Sequence, residues 1–170
     1  MQMTRRTALL GLAGAPMGIS LSPVWAAAPR EITWEDLIPA GVPYSEIIGE
    51  GSYDEANDTW LPDFDGNAYK FVDALDGARI RMPGYMLALE TGGMGVTQFI
   101  LTPYVGACIH VPPPPPNQLV FVTSVRPWRS EGMFEAVWVT GTIKVNHIST
   151  NLAEIGYDMV ADEIEPYVWE

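Results

Sequence analysis

At 170 residues the chain has about the length of one domain, and 21 acidic against 9 basic residues give it a formal charge of −12. That imbalance disfavours a polyanionic partner, nucleic acid included, because an acidic surface repels phosphate. A single cysteine excludes an internal disulfide, a haem-attachment motif and a four-cysteine zinc site.

The first 26 residues have the plan of an export signal. Arg5 and Arg6 precede an uncharged apolar run from Thr7 to Val24, and small residues follow at Ala26, Ala27 and Ala28. Cleavage is expected after Ala26, leaving residues 27–170 as one β domain with no further membrane span. The pair Arg5-Arg6 resembles a twin-arginine signal, although Ala8 and Leu10 depart from its full pattern. The expected location is therefore the periplasm. Acidity is uneven along the rest: residues 31–65 hold ten acids and no Lys or Arg, and residues 151–170 hold six acids and none.

Thr33 to Pro39 reads as a short helix with Thr33 as its cap, ended by Pro39 and Gly41. Residues 43–67 carry turn formers and acids around isolated aromatics and read as an ordered, irregular loop. Asp54, Glu55, Asp58, Asp63 and Asp65 lack the spacing of a calcium loop, which leaves them as solvated charges. Asn67 to Leu75 reads as a second short helix. The period then changes to two, which predicts strands at 78–82 and 85–90 about a Pro83-Gly84 bend, then at 96–105, 119–123, 136–145 and 156–161. Gly141, inside the fifth of these, marks a bulge or corner. Five or six antiparallel strands with little helix predict a mostly β protein, a small OB-like antiparallel barrel with one or two short helices.

The most unusual stretch is Phe99 to Val122, which holds Cys108, His110 and the five prolines Pro112, Pro113, Pro114, Pro115 and Pro116. In extended chain, Cys108 and His110 share a face with Cα atoms about 6.5 to 7 Å apart. A thiolate and an imidazole so placed suit zinc or copper. The proline run imposes a stiff rod of about 15 Å, able to hold that pair without sheet support. Candidates for further ligands are His147, Glu90 and the methionines Met82, Met86 and Met94. Three other readings use the same residues. Cys108 and His110 are simply packed and hydrogen-bonded; or His110 activates Cys108 as a nucleophile, for which no oxyanion-hole segment is evident; or Pro112 to Asn117 form an interaction loop.

Arg81 to Glu90, Pro103 to Val111 with the proline run and Asn117-Gln118, Val137 to Thr142, and Gly156-Tyr157 resemble motifs of a bacterial exported family, domain of unknown function 3299. Ala88 stands where that family usually has proline. The resemblance implies no established activity. It implies a non-catalytic accessory role in support of an ABC-type transport system or its periplasmic binding protein, and a link to zinc supply. The alternative from another class is a structural module that contacts a membrane complex.

Overall fold

The computed structural model describes residues 28–168 apart from 57, 90, 93–94, 108–111, 131 and 151. The fold is mostly β. Strands β1 (Arg30–Glu31), β2 (Ser52–Asp54) and β3 (Thr59–Leu61) are short, and β4 (Arg79–Ala88), β5 (Thr91–Gly92), β6 (Gly95–Thr102), β7 (Val120–Trp128), β8 (Phe134–Ser149) and β9 (Glu154–Pro166) follow. The β2–β3 pair stands as a sheet of its own. The other seven run in the order β1-β4-β8-β9-β7-β6-β5, and β4 also pairs with β6. That last pairing closes a cycle of five strands, β4-β6-β7-β9-β8, in which only β7 and β9 lie parallel. Among the described residues, no helix is long and apolar enough to cross a membrane.

Closure follows from the alternation of apolar residues. Ile80, Met82 and Met86 from β4, Phe99 and Leu101 from β6, Val120 and Val122 from β7, Val137, Val139 and Ile143 from β8, and Tyr157, Met159 and Ala161 from β9 pack into one buried cluster. Leu87, Ile100 and Leu119, each one residue out of step with these, belong to a second cluster, where they meet Ala107, Ala153 and Ile155. Period two thus delivers successive residues to opposite faces, and here both faces are covered.

Several sequence expectations change in detail. Pro83 and Gly84 do not break the strand. They lie where β4 exchanges β1, paired at Ile80 and Arg81, for β6, paired from Tyr85, so the missing proline N–H falls between two partners. Gly141 is the expected irregularity: the β8–β9 register shifts between Thr140 and Gly141. A Cβ there would collide with the Val160 carbonyl oxygen and stand 2.8 Å from the Ala161 Cα. The last strand is longer than expected and takes in the acidic end, because Asp162 and Glu165 pair with Arg79 and Arg81.

Both expected helices are reduced to 3-10 turns, at Glu35–Leu37, Gly66–Tyr69 and Asp73–Leu75. At the first, the Thr33 hydroxyl donates to Asp36 rather than capping the turn. Between the other two, buried side chains take over the backbone groups that a helix would have paired. Asn117 Nδ2 donates to the carbonyls of Asn67 and Lys70 at 2.9 and 3.2 Å, and the Tyr157 hydroxyl accepts from Val72 N–H at 2.9 Å. With those groups satisfied, the segment gains little from an α-helical ladder.

Candidate functional site

Residues 45–65 form an arm of two antiparallel limbs. Asp65 N–H donates to Glu46 O at 3.0 Å and Ile48 N–H to Asp63 O at 2.7 Å, Ile47 bridges Phe64, and β2 pairs β3 toward the tip. The Ser45 hydroxyl, buried at the foot, donates to Asp65. Gly51, at φ 68°, lets the limbs close: a Cβ there would lie 2.6 Å from Leu61 O and 2.8 Å from the Trp60 ring. Trp60 Nε1 donates across the gap to Glu50 O at 2.9 Å.

Between the arm, the proline run and the β8–β9 turn lies a cleft of about 220 Å³, whose walls include Leu61, Asp63, Tyr69, Pro113, Pro114 and Glu154. At its edge the Tyr69 hydroxyl donates to Glu154 Oε2 at 2.9 Å, and His147 Nε2 lies 3.6 Å from the same oxygen. The Tyr69 and His147 rings meet edge to face at 6.0 Å. Partial burial pushes the Tyr69 phenol up, and the hydrogen bond to Glu154 and the charges of Glu154 and Asp63 push it further.

The proline run is a packing element over most of its length. Pro112 is exposed, whereas Pro113 to Asn117 are buried apart from the sides of Pro113 and Pro114 that wall the cleft. The run is pinned at both ends: the Tyr104 hydroxyl donates to Pro112 O at 3.1 Å, and Gln118 Nε2 to Trp34 O at 2.9 Å. Asn117 belongs to the same anchorage through its bonds to Asn67 and Lys70. Its Oδ1 is buried with no partner among the described residues.

Of the expected metal ligands, Cys108, His110, Glu90 and Met94 lie outside the described residues. Met82 and Met86 are fully buried in the main core cluster. Met86 pairs Glu135 on β8, twelve residues from His147 on that strand. Met86 is sealed in the core, whereas the His147 side chain is about half exposed beside Tyr69 and Glu154, so the two side chains face different surroundings. Among the described residues no three His, Cys, Asp or Glu side chains are grouped to hold a metal ion. Sequence reasoning missed Tyr69 and Glu154 as neighbours of His147. They lie 85 residues apart, and no local pattern links them.

A closed cycle of strands, an acidic arm and a cleft partly walled by prolines define a mostly β protein. The chain belongs to the family described as "Protein of unknown function (DUF3299)", which it matches over residues 34–166. It is similar to a DUF3299 family protein from Pseudomonas aeruginosa PAO1 whose crystal structure is known. The two are 38% identical with a TM-score of 0.68, over 84% of this chain and 99% of that one. No curated protein matches the chain.

Proposed function

We propose that this is a periplasmic protein that holds or hands over a transition metal, zinc or copper, through Cys108 and His110 with His147 as a third donor. The observation that carries this reading is a shared cleft. Pro113 and Pro114 wall it together with Glu154, and Glu154 stands against His147. His110 precedes Pro113 by three residues, which limits its Cα to about 11 Å from that wall by chain length alone. Thiolate and imidazole donors suit zinc and cuprous ion. With His147 Nε2 turned toward Glu154, Nδ1 is left for the ion, and the carboxylate can orient the ligating ring.

The scaffold we assign is a small OB-like barrel. Numbered along the chain, its five strands pair in the order 1-2-3-5-4-1, with the third and fifth parallel, and this supports the assignment. Support of an ABC-type transport system is the role that family resemblance suggests for such a carrier.

The test is metal content, measured by mass spectrometry on mature protein purified from periplasm without chelator. Near-stoichiometric zinc or copper is expected, lost in Cys108→Ala and His110→Ala and weakened in His147→Ala. Loading should raise Tm, because an ion that binds only the folded state stabilises it. No bound metal, with no rise in Tm on adding zinc or cuprous ion, overturns the reading.

A further inference from the structure

Exposed large apolar side chains are scattered over most of the surface, but Tyr44, Ile47, Ile48 and Tyr53 fall within ten residues, at 51, 45, 51 and 57% exposure. They stand on the arm and at its foot, in the part of the chain that holds ten acids and no Lys or Arg from 31 to 65. Asp36 pairs with Arg30 and Glu31 with Arg81, but several of the others have no counter-ion among the described residues. Among the described residues Glu46, Glu50, Glu55 and Asp63 enter no ion pair, whereas Glu31, Asp162 and Glu165 are matched by Arg79 and Arg81. The arm is also well framed by the backbone bonds of Ile48 and Asp65 and by the Trp60 indole. A partner would therefore meet a backbone already framed, with less of it left to fix on binding.

We propose that the exposed limb from Tyr44 to Tyr53 is a docking site for a cationic polypeptide segment, one that presents Lys or Arg beside apolar side chains and wraps the limb on both faces. Tyr44, Ile47, Ile48 and Tyr53 would supply the apolar contact, and the surrounding carboxylates the complementary charge. Charge selects this occupant over the others. A second copy would bring a second acidic arm, and an anionic lipid surface or nucleic acid would be repelled. The site is separate from the metal reading, since it uses neither Cys108 nor His110.

The test uses the full mature protein and three labelled heptapeptides, of alternating Lys and Leu, Lys and Ser, or Glu and Leu, with binding read by fluorescence anisotropy. The Lys–Leu peptide is expected to bind about tenfold tighter than either comparator. The double variant Ile47→Ser, Ile48→Ser is expected to lose about that factor with metal content and Tm unchanged. Val125→Ser and Val160→Ser, at exposed sites on the sheet, should leave affinity intact. Equal binding of the Lys–Ser peptide would reduce the effect to general charge attraction and overturn the proposal. So would equal weakening by the sheet variants. Self-association by sedimentation that disappears in the arm variant would assign the surface to a second copy and overturn it as well.

Discussion

The closed strands and the arm are built from the same residue types by opposite rules. On the sheet, aliphatic and aromatic side chains alternate into two buried clusters, and the acids Asp162 and Glu165 meet Arg79 and Arg81. Arg81 takes this furthest: it pairs Glu31 and Glu165 while lying 3.9 Å over the Trp138 ring. On the arm, isoleucines and tyrosines stay exposed, and among the described residues Glu46, Glu50, Glu55 and Asp63 beside them enter no ion pair. The contrast is one of degree, since Val125 and Val160 are also exposed on the sheet, but on the arm four such residues fall within ten.

The sharpest way to break the comparison is a change that the sheet cannot absorb. Gly141→Ala would place a methyl against the Val160 backbone on the neighbouring strand, where nothing flexible can yield. It should cost about 3 kcal/mol, read from urea unfolding. A cost near zero would mean that β8 and β9 do not pack as described. Next is Tyr157, fully buried in the main cluster. Its hydroxyl donates to Leu37 O and accepts from Val72 N–H. Tyr157→Phe leaves both backbone groups without that partner and should cost about 2 kcal/mol. Burial pushes this phenol up to about 12; the Asp73 charge adds to the rise, and the Val72 hydrogen bond opposes it. A group raised in the folded state stabilises below its unfolded value, and that stabilisation is lost as pH rises from about 10 toward 12. Wild-type stability should therefore fall over that window, and the slope should be reduced in Tyr157→Phe.

How much of this could be read from the chain follows the same division. Strand patterning located the five long strands, with β4 read as two pieces, and Gly141 announced the bulge, because both are local consequences of side-chain period and backbone space. Closure was less visible. It depends on β4 meeting β6 beyond Pro83, and a Pro-Gly pair reads as a bend until the exchange of partners is known. The helix expected at 67–75 is reduced to turns for a non-local reason. Asn117 and Tyr157, far along the chain, satisfy the backbone of that segment. The edge of the cleft was hidden likewise: His147 was a candidate from its type alone, and its contacts with Tyr69 and Glu154 arise only from the fold. The acidity of residues 31–65 was plain in the sequence. That it frames exposed isoleucines on an ordered arm was not.

The smallest expected effect separates the two regions by the source of their electrostatics. Asp162, on the sheet, is held below the usual carboxylate range chiefly by its hydrogen bond from Arg79, with the Arg79 and Arg126 charges adding to it. Asp65, at the foot of the arm, is held low chiefly by the Asn67 amide, helped by the Ser45 hydroxyl and the Glu46 backbone contact. Both are depressed on folding. Each therefore contributes stability above the ordinary carboxylate value, and loses it as pH falls through the lower folded one. Asp162→Asn and Asp65→Asn should each flatten the acid limb of the stability curve. Salt tells them apart, because ions screen a partly exposed guanidinium–carboxylate pair far more than a hydrogen bond from a fixed amide. In high salt the difference between wild type and Asp162→Asn should shrink, while that for Asp65→Asn persists. If both differences shrank together, the foot of the arm would be held by charge after all, and the contrast between the two regions would fail at the point where they join.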